Sequence, residues 1–280
     1  MRLDAIQFDE WPNKAITLLG MSGVGKTTLA NKLPKNNWFH YSGDYRIGTK
    51  YLEEPILDNI KKQAMQVDFL RDLLRTDSIY IRSNITVNNL EPLSAFLGKL
   101  GDPAAGGLTL EEFSRRQRLH HDAEVGAMLD VATFIDKAQS IYGYEHFIND
   151  AGGSVCELDD ASVIEQLSAH TLLIYIEADS AIEQALIQRQ RLSPKPLYYR
   201  REFFEAQLAD FLAENKLTDV DEIPPDQFVL WMFPKLIAHR RPRYEAIAQE
   251  YGYTVSAHAV EQVQTEEDFL ALVRDTLTTA

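Results

Sequence analysis

The chain holds a single cysteine, Cys156, no apolar run long enough to cross a bilayer, and too little positive charge to balance its acids. Lys and Arg number 28 against 42 Asp and Glu, a net charge of −14. Each shortage excludes something. One thiol cannot close an internal disulfide or furnish a multi-cysteine metal site, so the expected compartment is a reducing cytoplasm, with Cys156 a small buried hydrophobe. Runs such as Leu172 to Ile176 fall far short of the ~20 apolar residues a spanning helix needs, and the polar stretch from Met1 to Lys14 has no apolar signal-peptide core. The surplus of acid repels polyphosphate chains and anionic membranes, which argues against nucleic-acid and membrane partners. Repeats and low-complexity tracts are also missing. The 280 residues, 45% of them hydrophobic, suffice for one large α/β domain or two ordinary ones.

The basic residues that remain are unevenly placed. Residues 141–180 carry eight acids and no Lys or Arg, whereas Gln188 to Arg201 carries Arg189, Arg191, Lys195, Arg200 and Arg201 and no acid. Smaller islands are Arg115, Arg116 and Arg118, and Arg240, Arg241 and Arg243. A local inversion of charge in an acidic chain asks for a compact anion; the plain alternative is a solvated basic face.

Five short apolar segments read as buried parallel strands: Ala15–Leu19, Trp38–Tyr41, Glu145–Asn149, Thr171–Glu177 and Tyr253–Ser256. Helical patterns between them predict an α/β layered fold. Between the second and third strands lies an insertion over 51–143, with helical periodicity at Glu54–Leu74, Leu90–Leu100 and Thr109–Ile141, the last opened by a Thr109/Glu112 capping-box pair. Gly101 to Gly107 reads as a loop, and Glu202–Leu236 as a further helical stretch. The division expected is one domain over 1–280, containing the insertion and a lid with its extra helices over 188–236.

The strongest motif is Gly20-Met21-Ser22-Gly23-Val24-Gly25-Lys26-Thr27, which satisfies G-x-x-x-x-G-K-[ST] between a strand and a helix that Pro34 stops. Glycines let the backbone turn its amides toward phosphate oxygens at a helix amino terminus. The predicted nucleotide cradle is Gly20, Ser22, Gly23, Val24, Gly25, Lys26, Thr27 and Thr28, with Lys26 reaching the β and γ phosphates and Thr27 the Mg²⁺. Three further features follow strand ends or a helix. They are Tyr41-Ser42-Gly43-Asp44-Tyr45-Arg46-Ile47, then Phe147-Ile148-Asn149-Asp150-Ala151-Gly152-Gly153-Ser154, and the basic window.

Together these segments resemble the small-molecule and nucleoside monophosphate kinase branch of P-loop proteins, in particular shikimate-kinase-like and adenylate-kinase-like enzymes. The resemblance implies a P-loop NTPase three-layer sandwich with a five-stranded parallel sheet, enlarged by the helical insertion. It implies ATP and Mg²⁺ as cofactors, Asp44 as catalytic base beside the acceptor hydroxyl, and Asp150 with Thr27 at the metal. Arg189 and Arg191 become lid arginines, and Gly152 and Gly153 the point where the acceptor approaches the backbone. Arg240, Tyr244 and Ala248 match the spacing of an Arg-x-x-x-Tyr-x-x-x-Ala run ahead of the adenine loop. This makes Arg240 a candidate for the acceptor's anionic group and the segment after Ser256 a candidate for the adenine. Arg46, Arg82 and Arg115 are further acceptor-binding candidates, with pairing of the Arg115 cluster to Glu111, Glu112 and Asp122 as the structural alternative. Glu157 is a lesser acidic candidate. The insertion is larger than such kinases carry, so the acceptor, small molecule or nucleotide, does not follow from the likeness, and neither does the oligomeric state. An ATP-hydrolysing switch or partner-binding ATPase is the alternative reading, and a toxin-like kinase acting on a nucleotide sugar a third. No guanine motif is present, since Asn215-Lys216-Leu217-Thr218-Asp219 places its acid one position late.

Overall fold

The computed structural model describes residues 2–279. A capped helix α1 (Ala5–Glu10) precedes β1 (Ala15–Leu19), α2 (Lys26–Lys32), β2 (Trp38–Ser42) and α3 (Gly43–Arg46), which runs into a π turn over Ile47–Tyr51. The insertion follows as α4 (Glu53–Ala64), α5 (Asp68–Arg75), α6 (Glu91–Leu97), α7 (Leu110–Leu129) and α8 (Val131–Ser140). The chain continues through β3 (His146–Asp150), α9 (Ala161–His170), β4 (Leu172–Glu177), α10 (Ser180–Leu192), α11 (Arg201–Asn215) and α12 (Pro225–Tyr251). It ends with β5 (Gly252–Ser256), α13 (Ala257–Gln262) and α14 (Glu266–Thr279). The five strands form one all-parallel sheet in the order β2-β3-β1-β4-β5. Every residue of β1 and β3 is buried, so helices cover both faces and the strands read as continuous apolar runs. This is the α/β sandwich expected, with each predicted strand found to within one residue at either end.

Register fixes what matters for function. Leu18 of β1 and Ser42 of β2 both stand opposite Asp150 of β3, so three strands end level. The segments that follow them, 20–25, 43–46 and 151–154, therefore emerge at one edge of the sheet, where ligands of parallel α/β folds bind.

Several helical expectations are corrected. Glu54–Leu74 is two helices, because amides 66 and 67 bond three residues back and β-branched Val67 turns extended before α5. Thr109 does cap α7 through the Glu112 amide, but Glu112 turns its carboxylate to Arg115 and Arg116, leaving the capping box half made. The run to Ile141 is interrupted at Asp130, whose carboxylate takes Arg46 at 2.7 Å and the Tyr51 hydroxyl at 2.9 Å. The Arg240 segment does not precede a helix but lies inside the 27-residue α12, which absorbs Pro234 and Pro242. Ser256 leads directly into α13, capping the Ala259 amide, rather than into a loop.

The helices bring a second core. Beside the sheet core, Leu100 and Phe113 of the insertion share a second hydrophobic cluster with Tyr199, Phe204, Leu208, Phe211, Ile223, Phe228, Met232 and Leu236. The ring of Phe211 meets Phe228 edge-on at 5.1 Å. Part of the insertion and the helices after the basic window, separate in sequence, thus share one core. No described helix is long and apolar enough to cross a membrane.

Candidate active site

The turn after β1 curls tightly enough that Gly25, the N-cap of α2, takes φ +106°, a left-handed conformation open to glycine. Lys26 follows and is 6% exposed. Its ammonium group folds back to donate to the carbonyls of Gly20 at 2.7 Å and Met21 at 3.1 Å. Burial lowers its pKa from the ordinary lysine value, opposed by the charges of Asp150, Asp44 and Glu124. The Thr27 hydroxyl donates to Asp150 Oδ2 at 2.5 Å, and His40 Nε2 from the edge strand stands 3.7 Å from the same oxygen.

Asp44 comes from the other side. Its helix is capped by Ser42, whose Oγ accepts from the Tyr45 amide at 3.3 Å, so Asp44 is not spent on capping. Burial, then the charge of Asp150, pushes its carboxyl up to about 6, against the pull of Lys26. The turn after β3 lies between these groups. A Cβ at Gly153 would collide with the Ser22 amide, and one at Gly152 would stand 3.4 Å from Asp44 Oδ1. Only glycines let this turn touch the phosphate loop and the Asp44 carboxylate together.

Arg240 grips the same turn from below. It is 3% exposed and donates to the carbonyls of Gly153 and Tyr198, both at 2.8 Å, with Nε 3.5 Å from fully buried Glu157. Glu157 also accepts from the Arg200 amide at 3.0 Å and lies 3.3 Å from His239. Arg46 is ion-paired with Asp130 and lies over Phe134, and Arg115 is paired with Glu112. Arg116, 6% exposed, ties α7 to the Phe96 carbonyl and to Asn59.

The basic window divides. Its start is the end of α10, where the Arg189 guanidinium lies 3.6 Å from the place a Gly23 Cβ would occupy. Arg191 is exposed. Residues 193–200 form an irregular strap pinned to α7, because Gln117 accepts from the Tyr199 amide at 2.9 Å and donates to the Leu197 carbonyl at 3.2 Å. Arg82, with Ser83, Asn84, Tyr45, Thr49 and Glu53, lines a cavity of ≈ 550 Å³ next to the helix of Asp44.

Two residues at this turn have no role in the sequence reading, Glu124, and Ser154 at the end of the β3 segment. Glu124 sits on α7 with no exposed surface, and Oε2 accepts from Ser154 Oγ at 2.5 Å. A signal existed: Phe113, Gln117, His120, Glu124 and Ala127 recur at helical spacing on one buried face, polar residues where apolar ones belong. Among the described residues no group of three or more His, Cys, Asp or Glu side chains converges on a metal position. Thr27 and Asp150 offer hard oxygen donors, too few for a protein-only cage; a Mg²⁺ bound partly through phosphates would suit them.

The sequence matches no family model and no curated protein. Among solved structures the chain is similar to a shikimate kinase from Bacteroides thetaiotaomicron, at 15% identity over 94% of this chain and 95% of that one, with a TM-score of 0.39.

Proposed function

We propose that this protein is an ATP-dependent kinase that passes the γ-phosphoryl group to a hydroxyl of a small acceptor. The observation that carries the reading is the division of carboxylates about Lys26. Asp150 is bonded to Thr27 on the metal side, while Asp44 faces the lysine from the acceptor side without a hydrogen-bond donor of its own. A carboxylate so placed can take the proton of an incoming hydroxyl, and the cavity beside its helix gives a small acceptor a place to bind.

In this reading the loop amides from Gly20 to Thr28 hold the phosphates, and Lys26 leaves its two loop carbonyls for the β and γ oxygens. Mg²⁺, held by Thr27 and Asp150, would neutralise charge on the phosphates. Asp44 orients the acceptor hydroxyl and takes its proton as its oxygen bonds the γ-phosphorus and the bond from that phosphorus to the bridging oxygen breaks, releasing ADP. Arg189 and Arg191 cover the transferring group, stabilising charge and excluding water. The cavity bearing Arg82, Ser83 and Asn84 supports an acceptor site of small-molecule size, open one residue beyond Asp44. Arg46, Arg115 and Arg240, already paired, hold the frame rather than the ligand.

The test is incubation with ATP, Mg²⁺ and a metabolite extract, followed by mass spectrometry for ions that gain one phosphoryl group. A product present with the native chain and absent with Lys26→Ala supports the reading. ATP consumption with no phosphorylated product refutes it in favour of an ATP-hydrolysing switch.

A further inference from the structure

The cavity beside the helix of Asp44 holds two charges of opposite sign that do not meet. Tyr45 lines it together with Glu53 at the start of α4 and with Arg82, Ser83 and Asn84 of the loop between α5 and α6. Glu53 and Arg82 are both exposed. Among the described residues neither is ion-paired or hydrogen-bonded through its side chain, and the Tyr45 and Ser83 hydroxyls and the Asn84 carboxamide are equally uncommitted. The other arginines expected over an acceptor are engaged elsewhere. Arg46 is held by Asp130, Arg115 by Glu112, and Arg240 by Glu157 and two main-chain carbonyls. The cavity wall therefore offers a single cation, and a carboxylate balances it.

An acceptor that already carries a phosphate fits such a wall badly. It would gain one guanidinium and meet one like charge, without the cluster of cations that phosphate recognition draws on. A hydroxylated acceptor without net charge fits well. Each hydroxyl both donates and accepts, so the same compound can donate to Glu53 and accept from Arg82, and such charge-assisted bonds are stronger than neutral ones. Ser83 and Asn84 add neutral partners, and the Tyr45 ring, 40% exposed, offers an apolar face to C–H groups.

We propose that the acceptor is a polyhydroxy compound with no net charge, held between Glu53 and Arg82, and that Glu53 is the specificity-determining residue that turns phosphorylated acceptors away. Discrimination of this kind comes from the repelling group as much as from the attracting one. Transfer to this acceptor rests on the kinase reading; the binding preference belongs to the cavity and is tested apart from transfer.

A metabolite extract is split by ion exchange at neutral pH into anionic, cationic and uncharged fractions. Each is dialysed to equilibrium against the native chain with ADP and Mg²⁺ present, so that phosphates in the extract do not simply fill the loop, and mass spectrometry reads what is enriched on the protein side. A polyhydroxy compound of the uncharged fraction should be enriched. Arg82→Met and Glu53→Gln should each reduce that enrichment by about tenfold, the loss of one charge-assisted hydrogen bond, with circular dichroism unchanged because both side chains are exposed. Enrichment confined to the anionic or cationic fraction, enrichment of zwitterions alone, or none from any fraction overturns the proposal. Glu53→Gln should also retain phosphorylated compounds of the anionic fraction that the native chain leaves in solution, and unchanged rejection of them overturns Glu53 as the excluding residue. The same fractions are then given ATP. Specific binding of the uncharged compound with no transfer to it would refute the kinase alone, and transfer to a compound already phosphorylated would refute the acceptor class alone.

Discussion

Arg240→Ala separates a structural arginine from a ligand-binding one. The guanidinium is 3% exposed, holds two main-chain carbonyls at 2.8 Å and is the cation beside fully buried Glu157. Truncation leaves those carbonyls without this donor and a buried carboxylate without its nearest guanidinium, a change that costs about 3–5 kcal/mol. Unfolding entropy scales with length, to roughly 0.6 kcal/mol/K for this chain, so Tm should drop by about 5–8 °C. Differential scanning calorimetry measures it directly. Arg240→Lys keeps a charge near Glu157 but cannot span both carbonyls, and should recover part of the loss. Because Gly153 touches Ser22, the alanine variant should also weaken ATP binding without any contact to ATP. A Tm within ~2 °C of the native value, with only the KM of the acceptor raised, would refute this reasoning and make Arg240 a ligand for the acceptor's anion.

Other outcomes follow from the same geometry. Lys26→Ala should reduce phosphoryl transfer by at least ~10²-fold with little change in Tm, since its amine is held by two loop carbonyls that water can satisfy. Asp44→Asn should lower kcat by about 10²–10⁴-fold, and the native rate should rise with pH through about 6, because the base works only when ionised. A flat acid limb in a pH–rate series would contradict that. Thr27→Val should raise the Mg²⁺ concentration needed for half-maximal activity while leaving circular dichroism unchanged. Phe228→Ala should cost about 3–5 kcal/mol in chemical denaturation, as for other large buried aromatics; a cost below ~1 kcal/mol would show the second core to be dispensable.

Much of the candidate site is legible without coordinates because its pattern is local. The phosphate loop needs its glycines, lysine and threonine at set spacing, and Asp44 and Asp150 each follow a strand of contiguous apolar residues. Arginines were harder to read. A run of cations looks alike whether it meets a ligand or a carboxylate from a distant segment. Arg46 finds Asp130 and Arg241 finds Glu183 across 84 and 58 residues. Helix ends leave no local mark where the stop is tertiary, as at Asp130, which carries no glycine or proline signal.

What the sequence determined alone was the parallel sheet, the loop that precedes α2 and the two acids at strand ends, since periodicity and glycine placement act within a few residues. Tertiary structure decided the rest. It brought Glu124 from the insertion against Gly152, joined the insertion to the helices after the strap through Phe113 and Phe228, and put Arg240 beneath the turn that touches Ser22. Those relations depend on burial and on charges meeting across long loops, and a buried charge takes its meaning from its partner, which no local pattern names.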